Sequence, residues 1–157
     1  MNGLIVYHSK FGNGKLIAGA LAEGLKESGH DVKVAEAGAG DIGDTFDFVV
    51  VSSPTRAGRM MGPAKHFIHS MDKDSWKGKP FIAVGTGFRA KGTGKFDEMG
   101  ARSAGKVYAA LEKAGLKPVM EAQKFYVADM KGPLEDGEVE RAMDVGRTAG
   151  KRLGEMG

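Results

Sequence analysis

Three short segments stand out for their chemistry-bearing residues, and the first of them carries the residue types that handle an oxyanion. The first, His8-Ser9-Lys10-Phe11-Gly12-Asn13-Gly14-Lys15, brings together a hydroxyl, glycines, an amide side chain and lysines. Glycine lets a loop turn its amides inward, and a helix opening at such a loop adds partial positive charge, so the composition suits a phosphate. Ser9 and Asn13 supply side-chain donors, and Lys10 or Lys15 supplies neutralising charge. The second segment is Ser52-Ser53-Pro54-Thr55-Arg56-Ala57-Gly58-Arg59, and the third is Gly85-Thr86-Gly87-Phe88-Arg89. Viewed alone, the first loop is equally a plain turn between a strand and a helix, with Asn13 as the helix cap.

Other chemistries fit these residues less well. A triphosphate-binding loop needs a hydroxyl after its Gly-Lys pair to reach magnesium, and Gly14-Lys15 is followed by Leu16. A dinucleotide fingerprint can be drawn through Gly12, Gly14 and Ala18 with Glu36 at the ribose, but the stretch between Tyr7 and Gly12 is too long for its tight first turn. A phosphorelay receiver wants acids after the first strand and at the end of the third, where this chain has His8, Ser9, Ser52 and Ser53. His66 and His69 share a helix face without an evident acidic partner, which favours solvated histidines over a metal site. There is no cysteine, so any redox role requires a bound cofactor.

The elements that must position these segments alternate in period along the chain. Gly3 to Tyr7, Asp31 to Ala35, Phe46 to Ser52, Phe81 to Val84 and a stretch within Lys117 to Val127 read as strands. Between them lie helical stripes. Leu16, Ile17, Ala20, Leu21, Gly24 and Leu25 mark the first helix, opened near Asn13 and stopped at Gly29. Gly38 to Thr45 is rich in Gly and Asp, so any helix there is short or irregular. Pro63 suits a first helical turn ahead of Ala64, Phe67, Ile68 and Met71. Ala104, Val107, Tyr108 and Leu111 form another stripe, ended by Gly115 and Pro118. Asp136 is the expected cap of a final helix buried through Val139, Met143, Gly146, Gly150 and Leu153. Strands alternating with helices give an α/β fold with a parallel sheet covered on both faces, in a single domain over residues 1–157. In such a sheet the binding crevice lies beyond the carboxyl ends of the strands, where the three segments fall.

The balance of 41% hydrophobic and 27% charged residues is that of an ordinary globular domain. No apolar run is long enough to span a membrane, and the first residues lead into a strand without a basic leader, so the expected location is cytoplasmic with no membrane partner. Net charge is +3, but basic and acidic residues are interspersed, which argues against nucleic acid as a partner.

The first loop resembles the phosphate loop of the flavodoxin family in its Ser-x-x-Gly-Asn form. The second and third segments are similar to that family's two ring-binding loops, and the likeness runs through nearly the whole chain. It implies a flavodoxin-like three-layer sandwich with a five-stranded parallel sheet in the order 2-1-3-4-5, an uninterrupted last strand, and FMN as cofactor. By this resemblance Ser9, Lys10, Phe11, Gly12, Asn13, Gly14 and Lys15 hold the phosphate. Pro54, Thr55, Arg56, Ala57, Gly58, Thr86, Gly87, Phe88 and Arg89 border the isoalloxazine. The second loop offers no aromatic, which leaves Phe88 as the expected stack, with Arg56, Met60 or Met61 over the other face. Arg56, Arg59 or Arg89 near the ring is expected to raise its potential. Gly58 or Gly87 is expected to let a loop peptide reorient as the flavin changes redox state.

The implied role is electron transfer between redox enzymes. Flavodoxins resemble one another in being acidic, so this basic chain is expected to meet redox partner proteins with acidic docking surfaces. Two alternatives stand beside that role. One is an FMN-dependent NAD(P)H:quinone or flavin reductase; the other is a flavin-free interaction module.

Overall fold

The computed structural model describes residues 1–40, 42, 45–56, 59–89, 102–129 and 131–157. The chain opens with β1 (Asn2–Tyr7), α1 (Asn13–Glu27), β2 (Asp31–Glu36), β3 (Phe48–Arg56) and the short β4 (Arg59–Met60). It continues through α2 (Gly62–Ser70), α3 (Lys73–Trp76), β5 (Pro80–Phe88) and α4 (Ser103–Lys113). It closes with β6 (Lys117–Pro118), β7 (Gln123–Val127) and α5 (Glu138–Met156).

The main strands pair in parallel in the order β2-β1-β3-β5, and β6 and β7 both pair with β5 on its outer side. Taken as two halves of one strand, β6 and β7 complete the expected order 2-1-3-4-5. The last strand was expected to run unbroken, and it does not. Pro118 has no amide to donate, the Val119 amide reaches the Phe81 carbonyl at 2.9 Å, and Met120 turns inward to 9% exposure. The chain rejoins the ladder at Gln123, opposite Val84.

Near-continuous apolar strands are what a sheet covered on both faces requires. Ile5, Tyr7, Phe48, Val50, Ile82, Val84 and Phe125 pack in the core layer with α1 and α5. Leu4, Val6, Val49, Val51, Phe81 and Ala83 pack in the opposite layer with Trp76, Val107 and Leu111. Each fully buried side chain of this size contributes roughly 1.5–3 kcal/mol. β3 starts at Phe48 rather than Phe46, because Asp47 turns to accept the Asn2 amide at 2.7 Å. It then runs on to Arg56 through Pro54, which is tolerated because β1 has ended at Tyr7, opposite Ser52.

Several expectations about helices need correction. Asn13 and Asp136 are not the caps: α1 and α5 are preceded by Gly12 and Gly137 with φ of 91° and 84°, and neither helix has a side-chain cap. Leu16 and Val139 are 57% and 37% exposed, and the small residues Ala18, Ala22, Ala142 and Ala149 are buried instead. The reason is how closely α1 and α5 approach. A Cβ at Gly24 would lie 2.2 Å from the Met143 carbonyl oxygen, and one at Gly146 would lie 2.5 Å from that of Leu21. The short α3 was not anticipated, although Asp72 caps it by accepting the Asp74 amide at 3.2 Å. Between Gly38 and Thr45 the described residues form no helix, and residues 41, 43 and 44 lie outside the described set.

Candidate functional site at the carboxyl edge of the sheet

β1, β3 and β5 end side by side, and the three chemistry-bearing segments follow from them. The His8 amide donates to the Ser52 carbonyl at 3.1 Å, which fixes where the first loop departs. Ser9 Oγ accepts the Gly12 amide at 2.9 Å, closing the loop as a turn that Gly12 completes in the left-handed region. α1 then begins with no side-chain cap and no acid in its first turn. The leading amides of a helix have no intrahelical acceptor, and here they carry the positive end of a 15-residue helix dipole. Lys10, Phe11 and Lys15 are exposed around this opening, with the Lys10 ammonium 5.5 Å from the Phe11 ring centre. Gly14 is buried against the loop, where a Cβ would come within 3.0 Å of the His8 carbonyl oxygen.

Asn13, expected to cap the helix, reaches across it. Its Nδ2 donates to the Lys131 carbonyl at 3.4 Å, and a Cβ on Gly132 would sit 2.7 Å from its Oδ1. Residues 131 and 132 therefore lie directly against the first loop. Ser52 Oγ, on the strand next to Tyr7, is fully buried and has no hydrogen-bond partner among the described residues.

In the second segment Thr55 pairs with Met60 and Arg56 with Arg59, so β3 and β4 form a hairpin. Ala57 and Gly58, expected at the ring, lie outside the described residues. Ser53 Oγ accepts the Met61 amide and donates to the Pro54 carbonyl, both at 2.9 Å, which pins the hairpin's base. The Thr55 hydroxyl is not free. It donates to Ser103 Oγ at 2.7 Å and accepts the Ser103 amide at 3.0 Å, while Ser103 Oγ donates to the Ser53 carbonyl at 2.8 Å. Thr55 thus caps α4 from a distant strand. Pro54 is half-buried, and Arg56 and Arg59 are exposed.

In the third segment Thr86 and Gly87 are buried, whereas Phe88 is 46% exposed at the end of β5. Arg89 does not stand free at the site. Its guanidinium lies 4.1 Å from the Tyr126 ring centre and its Nε bridges Glu135 at 3.1 Å. The glycine-rich stretch that leads to α4 lies largely within residues 90–101, outside the described set.

Ser103, Tyr126, Glu135 and Lys131 are neighbours of the site that local patterns did not single out. Ser103 was detectable as a polar residue opening a helical stripe, but its link to Thr55 spans 48 positions. His66 and His69 are both exposed, and no cluster of metal-ligating side chains occurs among the described residues. A cleft of about 320 Å³ lined by Ile68, Trp76 and Leu116 sits at the opposite edge of the sheet, away from all three loops.

Comparison with known proteins adds an independent line. A family model described as a flavodoxin domain matches residues 4–121. Among solved structures, a flavodoxin from the domain Archaea superposes with a TM-score of 0.80 at 18% identity, covering 98% of this chain and 99% of the other. Oxidised flavodoxin 1 from Bacillus cereus gives 0.76 at 17% identity, covering 96% and 98%. The flavodiiron protein from Giardia intestinalis gives 0.70 at 20% identity, with 98% of this chain matching 36% of that one. A comparison with curated protein sequences gives no match.

Proposed function

This chain belongs to the flavodoxin family, and on that premise we propose that its first loop and α1 hold the phosphate of FMN and that the protein carries electrons between redox enzymes. The observation that carries this reading is the opening of α1: uncapped, free of acid in its first turn, and placed behind a loop closed by Ser9 and Gly12. Such a terminus presents several amide donors and a positive dipole to a dianion. Lys10 and Lys15 add charge from its rim. The buried, unpartnered Ser52 Oγ beneath the loop is a further polar group suited to a ligand or to its hydration.

The residues present fit the ring less completely. Phe88 is the exposed aromatic at the end of β5, suited to stacking on an isoalloxazine face. Pro54, with half-buried Met60 and Met61, lies along the hairpin. Thr55 acts indirectly, by fixing the hairpin against α4. Bound there, FMN supplies the one- and two-electron chemistry that a chain without cysteine lacks.

Titration of the flavin-free protein with FMN, followed by quenching of flavin fluorescence, tests this reading. Saturable one-to-one binding is expected, together with at least tenfold weaker binding of riboflavin, which lacks the phosphate. Equal affinity for the two flavins would remove the role given to α1.

A further inference from the structure

Arg56 and Arg59 are paired directly across the β3–β4 hairpin, and both are exposed. Like charges placed directly opposite on paired strands repel, and neither residue has an ion-pair partner among the described residues. More positive charge gathers beside them. The Thr55–Ser103 hydrogen bond joins the hairpin to the start of α4, so Arg102 and Lys106, both exposed, belong to the same rim. Arg89, by contrast, is bridged to Glu135 and stacked on Tyr126, and Arg141 and Arg147 pair with Glu138, Glu27 and Asp144 on other elements. Arg56, Arg59, Arg102 and Lys106 thus form one group of exposed cations without ion-pair partners among the described residues, on a hairpin that leaves β3 where Pro54 pairs with Thr86, two positions before the exposed Phe88.

We infer that this rim, centred on Arg56, Arg59, Arg102 and Lys106, is the docking surface for an electron-transfer partner whose own surface is acidic. A carboxylate-bearing protein relieves the repulsion within the hairpin, and the same field steers its approach to the ring edge. The inference rests on the reading that FMN occupies the site. Reduced FMN gives up one electron to a ferric cytochrome, which becomes ferrous, so the step is balanced for any one-electron haem acceptor.

The test uses FMN-loaded protein, reduced and mixed in stopped flow with either an acidic b-type cytochrome or a basic c-type cytochrome, at low and high salt. The acidic acceptor is expected to be reduced at least ~10-fold faster at low salt than at high salt, with the basic one showing no acceleration. In Arg59→Gln/Arg102→Gln the salt dependence towards the acidic acceptor should fall several-fold. Equal salt dependence for both acceptors, or faster reduction of the basic one at low salt, overturns the docking surface even where FMN binds normally. Failure to take up FMN at all overturns instead the reading on which it rests.

Discussion

Gly12 shows how much of the site depends on one backbone conformation. Its φ of 91° lies in the left-handed region, and nothing occupies the space a Cβ would enter, so the penalty for a side chain comes from the backbone itself. Gly12→Ala is expected to cost about 1–2 kcal/mol in a urea melt. It should also weaken FMN at least several-fold in the fluorescence titration, because the Gly12 amide that bonds Ser9 must shift. Unchanged affinity would mean that the loop's closure is immaterial to the phosphate. At this scale sequence reading placed residues whose contacts are local: Ser9, Gly12 and Gly14 meet in one closed turn. It did less well where a partner comes from far along the chain. Asn13 turns to Lys131, Thr55 to Ser103 and Arg89 to Glu135, and no pattern within a few residues announces those pairs.

The elements depend on two different kinds of close contact. Where α1 crosses α5, an added methyl at Gly24 meets backbone atoms that cannot rotate away. Helix propensity alone would favour alanine there by about 1 kcal/mol. Overpacking should win, and Gly24→Ala is expected to lower stability by about 1–3 kcal/mol. A stabilised variant in chemical denaturation would show that the two helices can part at little cost. The outer edge of β7 is held otherwise. Glu138 Oε2 accepts the Tyr126 amide at 2.8 Å, and Arg141 pairs with Glu138, donates to the Lys124 carbonyl and lies 4.3 Å from the Phe125 ring centre.

Burial on its own would raise the pKa of Glu138, but hydrogen bonds from Arg141 and the Tyr126 amide outweigh it and hold the carboxyl below its ordinary value. A depressed folded pKa gives stability that is fully present above the ordinary value of 4.5 and is lost as pH falls through the lower folded one. Glu138→Gln should therefore cost about 2 kcal/mol at pH 7 and progressively less below pH ~4. Parallel denaturation curves at the two pH values check this, and a penalty that stays constant with pH would place its origin outside the ionisation. The strand pattern was legible because buried parallel strands are continuous apolar runs. The helix faces were misread at Leu16 and Val139, because a face built from glycine and alanine carries little hydrophobic signal.

For the whole molecule, ligand and fold share one equilibrium. A group that binds only the folded chain stabilises it by about 2.7 kcal/mol at a free concentration one hundred times its dissociation constant. For a chain of this length that corresponds to a rise in Tm of roughly 5–10 °C with saturating FMN. Riboflavin at the same concentration should give a much smaller rise, and a scan in which neither flavin moves Tm would leave the carboxyl edge without this ligand.

The crossing of Gly24 and Gly146 also bears on how the chain comes to fold. α1 is among the first elements in sequence and α5 the last, yet each covers the other's smallest residues, and both share one side of the sheet. The layer over Ile5 and Phe48 therefore stays incomplete until more than a hundred residues have intervened, and closing so long a loop is entropically slow. The opposite layer is covered by α2, α3 and α4, which follow one another closely in sequence, and is placed to consolidate first. During synthesis, α1, whose opening forms the candidate phosphate site, is then among the last parts of the framework to gain its full support.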